Sequence, residues 1–169
     1  MLQPFSRTGF PLDFSLLSFL VVDDQPFSRR LLRSMLHGFG TREVYESVNG
    51  AEGFEAARTL RPSIIITDMI MPIFNGLQFL KMSKEPQSPA RQIPIIVLSG
   101  YLTKTATLAL RELGADELLV KPVSPKALYA HIVRIVLSND DPSQPFALQQ
   151  NQRKRGAATR SKPDRLVCL

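Results

Sequence analysis

The sequence predicts an α/β domain built on a five-stranded parallel sheet in the order 2-1-3-4-5, with helices on both faces. Three observations carry this prediction. First, Ile64-Ile65-Ile66-Thr67 is an unbroken run of β-branched residues, which reads as a strand buried on both faces. Second, short apolar runs alternate five times with helix-length segments, the pattern that right-handed crossovers wind into a doubly covered sheet. Third, the central run ends in a carboxylate, Asp68. Burying an unpaired charge is costly, so Asp68 is expected where the chain leaves the sheet, at the edge where open α/β sheets hold ligands. The order 2-1-3-4-5 would set the ends of strands one and three side by side at the switch point.

Met1 to about Ser15 mixes Pro4, Gly9 and Pro11 with scattered apolar residues and is expected to be an irregular extension. Leu16 to Val22 is the first strand. Pro26, at a first-turn position, opens a helix carrying Phe27, Leu31, Leu32, Met35 and Leu36, which Gly38 and Gly40 close. Val44 to Val48 is the second strand, and Asn49 caps a helix running to Leu60. After the third strand, Ile64 to Thr67, Gly76 opens a short helix from Leu77 to about Lys84. Ile93 to Leu98 is the fourth strand, Thr103 to Leu113 a helix closed by Gly114, and Glu117 to Val120 the fifth strand. Ser124 caps a last helix, Pro125 to Leu137. The domain is thus expected over residues 16–138. Residues 139–169 are Gln-rich and then basic, with too few apolar residues for a core, and a disordered tail is expected there.

Composition narrows the function. Of the net charge of +6, residues 151–169 account for +5, with six basic residues against Asp164. The basicity therefore belongs to the tail. The tail is too short for the usual helix-turn-helix output domain and no DNA-binding motif appears, which argues against direct DNA binding. One cysteine, Cys168, allows no disulfide framework, and its ending lacks a prenylation pattern. The apolar run Phe14 to Val22 is too short to span a bilayer and leads straight into Asp23-Asp24. A soluble, cytoplasmic protein with no membrane role is expected.

The strand ends carry the chemistry. Strand one runs into Asp23 and Asp24, strand three into Asp68, strand four into Ser99 and strand five into Lys121. Three clustered carboxylates repel and resist ionising unless a cation offsets them. Oxygen donors without nearby His or Cys favour Mg2+ over zinc. Asp24 and Asp68 are expected to ligate it directly, Asp23 through water, with the backbone carbonyl of Ile70 contributing. A carboxylate also serves as a nucleophile toward phosphorus. The ion, the Lys121 ammonium and the Ser99 hydroxyl would each stabilise a phosphoryl oxygen, and Gly100 leaves room beside Ser99. Singly, Ser99 reads as a loop hydroxyl and Lys121 as a surface lysine; their succession at strand ends makes a site. His37 reads as a helix-dipole partner, His131 as structural or surface, and Met69 and Met71 as packing.

Val21-Val22-Asp23-Asp24, Asp68 with Met71-Pro72 and Asn75-Gly76, Ser99-Gly100, Gly114-Ala115-Asp116 and Lys121-Pro122 together resemble the receiver domain of bacterial response regulators, whose single-domain type is the chemotaxis regulator. The resemblance covers about Leu16 to Ser138. It implies a flavodoxin-like (βα)5 fold and makes Asp68 the phosphoacceptor for a histidine kinase or histidine phosphotransfer protein, with magnesium required. It further implies Ser99 as the switch hydroxyl, Lys121 as a phosphoryl ligand and a cis bond before Pro122.

The chain departs from that pattern at Leu118, where the family usually has an aromatic that turns inward on phosphorylation. The bulky Ile70 and Tyr101 flank the expected route of hydrolytic water, so a slow loss of phosphate is expected. The expected function is a single-domain phospho-switch acting through an unknown downstream protein, not an enzyme. Leu118 motivates a rival, a pseudo-receiver that binds without phosphate. A magnesium-dependent aspartyl phosphatase is a weaker rival, because Ile70 occupies the position where such hydrolases place a second Asp.

Overall fold

A computed structural model describes residues 12–138. The elements are a 3-10 turn (Phe14–Leu16), β1 (Ser18–Val22), α1 (Pro26–Gly38), β2 (Glu43–Ser47), α2 (Gly50–Leu60), β3 (Ile64–Asp68), α3 (Gly76–Lys84), β4 (Ile95–Ser99), α4 (Lys104–Glu112), β5 (Glu117–Val120) and α5 (Pro125–Ser138). All neighbouring strands pair in parallel, in the order β2-β1-β3-β4-β5. The parallel sheet is the one that the alternation predicts, and the fold is the flavodoxin-like one that the resemblance implies.

The sheet separates two cores because successive strand residues point to opposite faces. Phe19, Val21, Ile66 and Leu119 pack with Leu36 of α1 and Ile132 of α5. Leu20, Val22, Ile65 and Val97 pack with Ala57 of α2, Phe79 of α3 and Leu110 of α4. Every residue of β1, β3 and β4 is buried, which is why these strands show no polar alternation in sequence. Side chains of Asn49, Asn75 and Thr103 accept from backbone N–H groups three residues on, giving α2, α3 and α4 defined starts.

The structure refines the sequence expectation at several points. β4 begins at Ile95 rather than Ile93, since Pro94 has no N–H for the ladder. On α1, Phe27 is 72% exposed and Leu31 is also exposed, while Leu32 and Leu36 are buried. At about 100° per residue, Phe27 falls on the helix face opposite Leu36. Finally, the expected N-terminal extension ends in ordered structure. Leu17 N–H donates to Phe14 O at 3.1 Å, so β1 starts at Ser18 rather than Leu16. The rest of that extension, and the expected basic tail, lie outside the described residues.

Phe14 is buried against Phe39, which follows α1, and Tyr129 of α5, with ring centroids 5.7 and 5.2 Å away, and those two rings lie 5.3 Å from each other. Phe14→Ala removes one ring of this aromatic trio. A loss of about 3 kcal/mol is expected, read as a lowered midpoint in urea unfolding with an unchanged slope.

Candidate functional site at the carboxyl edge of the sheet

Register brings the predicted residues together. Val22 pairs with Thr67, so Asp23 leaves β1 at the level where Asp68 ends β3. Asp68 pairs with Leu98, and Ser99 with Val120, which puts Ser99 and Lys121 on the same edge. Asp23, Asp24 and Asp68 each offer an oxygen within 4.8 Å of the others. This all-oxygen, triply anionic cluster has the chemistry that a hard divalent cation such as magnesium takes.

Lys121 bridges the acids. Its Nζ donates to Asp23 Oδ2 at 3.0 Å and lies 3.1 Å from Asp68 Oδ2. Asp23 is fully buried, and its Oδ1 accepts from Gln25 N–H at 2.8 Å. Asp24 Oδ2 accepts from Gln25 Nε2 at 2.9 Å. The peptide bond between Lys121 and Pro122 is cis. Ser99 is buried at the edge, but its hydroxyl turns into its own loop, donating to Tyr101 O at 2.8 Å. Leu118 is buried opposite Val97, in the core with Leu110.

Burial pushes the Asp68 carboxyl above the ordinary carboxylate range, helped by the charge of Asp23. Lys121 and the Ile70 N–H pull the other way without cancelling the effect. Burial also pulls the Lys121 ammonium down, yet Asp23 and Asp68 outweigh it and hold the group above its usual value. A raised carboxyl pKa means that the folded chain binds this proton more tightly than the unfolded chain. Stability is therefore lost as pH rises from the unfolded pKa through the folded one, and nothing is lost where both states are protonated. Metal-free Asp68→Asn should accordingly melt higher than wild type at pH 7. The gap should close as pH falls toward about 4, as followed by thermal unfolding in chelator.

The loop after Asp68 is strained. Phe74 N–H donates to Pro72 O at 2.7 Å, which centres a three-residue turn on Ile73 with φ +69° and the side chain fully exposed. Positive φ at a β-branched residue is a true outlier. The loop is secured from α2, whose Gly50 N–H donates to Phe74 O at 3.2 Å.

Two features were missed by sequence reasoning. Gly76 lies against the Asp68 carbonyl, and an added Cβ would stand 2.0 Å from it; the Asn75-Gly76 pair signalled a helix start, not this approach. Arg29, one turn into α1, reaches back to the acid loop. Nothing in its spacing signals that contact. His37 bonds Thr41 O just beyond its own helix, and His131 of α5 bonds Glu117 Oε2 on β5, both at 2.9 Å.

The family model described as "Response regulator receiver domain" matches residues 19–133. Chemotaxis protein CheY1 of Helicobacter pylori (strain 26695) is 30% identical over 125 residues, covering 73% of this chain and 100% of that protein. A protein-glutamate methylesterase/protein-glutamine glutaminase of Halalkalibacterium halodurans is 35% identical over 136 residues. The match spans 78% of this chain but only 38% of that relative. Among solved structures, the chemotaxis response regulator CheY4 of Vibrio cholerae superposes with a TM-score of 0.65 at 29% identity. That match covers 70% of this chain and 98% of CheY4.

Proposed function

Because the chain belongs to the response regulator receiver domain family, we propose that it is a phospho-switch whose Asp68 accepts a phosphoryl group from a histidine kinase or histidine phosphotransfer protein. The observation that supports this most is the meeting of Asp68 with two further acids and Lys121 at one sheet edge. Asp23, Asp24, Asp68 and the Ile70 carbonyl would hold magnesium, which would supply positive charge to the phosphoryl oxygens.

An Asp68 oxygen attacks phosphorus, the bond from phosphorus to the donor histidine nitrogen breaks, and the released imidazole takes up a proton. Lys121, now on Asp68 Oδ2, moves to a phosphoryl oxygen. The Ser99 hydroxyl gives up Tyr101 O for another. Phosphorylation then biases an existing equilibrium, read by a downstream protein at the α4–β5–α5 face. The reading is of a cytoplasmic signalling protein, not an enzyme; among the described residues, no helix is long and apolar enough to cross a membrane.

Buried Leu118 supports a second reading, a pseudo-receiver that binds its partner without phosphate. The test is incubation with magnesium and acetyl phosphate. One acid-stable, base-labile phosphate that Asp68→Asn abolishes supports the switch. No labelling favours the pseudo-receiver, and rapid turnover of unrelated phosphoesters favours a phosphatase.

Ile70 and Tyr101 stand two residues beyond Asp68 and Ser99, beside the path of in-line water. The phosphorylated chain should lose its phosphate over minutes to hours in a chase without donor. A half-life of seconds would contradict this.

A further inference from the structure

Asp23 and Asp24 lie between the last residue of β1 and the first of α1, so their carbonyls fall outside both the strand ladder and the helical series. One side chain takes both. Arg29 Nη1 donates to Asp23 O at 2.8 Å and to Asp24 O at 3.3 Å. Its Nε donates to Glu46 Oε2 on β2 at 3.2 Å, and the side chain is only 13% exposed. Glu46 is itself fixed, opposite Val21 in the sheet register and bonded through Oε1 to Arg33 at 3.2 Å.

We infer that Arg29 is a positioning residue for the cation site, locking the peptide planes of Asp23 and Asp24 so that both carboxylates face one ion. This rests on the reading of those acids as magnesium ligands. The guanidinium touches the backbone of the acid pair, whereas the Asp23 carboxylate is held by Lys121 and Gln25 and that of Asp24 by Gln25. Glu46, which Arg33 shares, offsets part of its charge on the other edge, and what the fork adds to the acid loop is direction. A planar fork with donors on two edges can span carbonyls and carboxylate at once. A lysine ammonium, a single point on a flexible stem, cannot. Groups that orient metal ligands typically change metal affinity by about 10- to 100-fold when removed.

Titration calorimetry of the full chain with magnesium chloride tests this, on wild type, Arg29→Met and Arg29→Lys. Arg29→Met should weaken magnesium binding about tenfold or more, and Arg29→Lys should not restore it. Wild-type affinity in Arg29→Met would overturn the inference, as would full rescue by Arg29→Lys, which would mean that charge alone suffices. Should Arg29→Met fail to fold, Glu46→Gln decides: a smaller loss of affinity supports the clamp, and an unchanged affinity overturns it. Wild type that binds no magnesium sinks the metal reading and this inference together. Firm wild-type binding with unaffected Arg29→Met sinks the inference alone.

Discussion

Gly76→Ala is expected to destabilise the domain by about 3 kcal/mol, at the upper end of overpacking costs, and to lower its melting temperature by about 10 °C. The reason is that the obstruction is all backbone. A Cβ at Gly76 would lie 2.0 Å from the Asp68 carbonyl oxygen, and 2.9 Å from both Asp68 C and Met69 Cα. None of these atoms can rotate away. The start of α3 must retreat, or the peptide that carries Asp68 must move. The same contact that sets stability therefore sets the aim of Asp68, and the surviving folded fraction should also take up phosphate more slowly. Gly100→Ala is the control, since nothing lies within 4 Å of its added Cβ; its melting temperature should match wild type. Equal melting of Gly76→Ala and wild type would show that the loop is not held as described.

Magnesium should stabilise the folded chain, because three acids gathered at one edge carry more negative charge than Lys121 offsets. Linkage gives a gain of about 2.7 kcal/mol at a magnesium concentration one hundred times the dissociation constant. Asp24→Asn should erase most of that gain while leaving the Lys121 bridge between Asp23 and Asp68 intact. Thermal unfolding with and without the ion, on both proteins, reads this directly. A magnesium response in Asp24→Asn as large as in wild type would exclude Asp24 from the site.

Much of the molecule was legible in the sequence because its determinants are local. A strand buried on both faces announces itself in Ile64-Ile65-Ile66, and a parallel sheet puts every strand's end on one edge. Asp23, Asp68, Ser99 and Lys121 could thus be grouped from chain order alone. Caps at Asn49 and Ser124 were legible for the same reason, as each acts within one helical turn. What stayed hidden depends on long reach or on a rotor. The Arg29 fork joins α1 to β2 and to the acid loop, and no periodicity encodes that. Whether the Ser99 hydroxyl faces the site or Tyr101 is a choice of one torsion. Phe14 looked like part of an irregular leader because its partners, Phe39 and Tyr129, are distant in sequence. The apolar residues of α1 did not by themselves separate exposed Phe27 from buried Leu32 and Leu36, because that depends on their angle around the helix.

Locating the phosphate tests whether Asp68 is the acceptor. After treatment with acetyl phosphate and magnesium, borohydride reduces an aspartyl phosphate to homoserine, and peptide mass spectrometry finds where that change lies. Homoserine is expected at position 68 alone, lost when magnesium is chelated. An unmodified Asp68 beside a labelled Asp23, Asp24 or any other residue would contradict it.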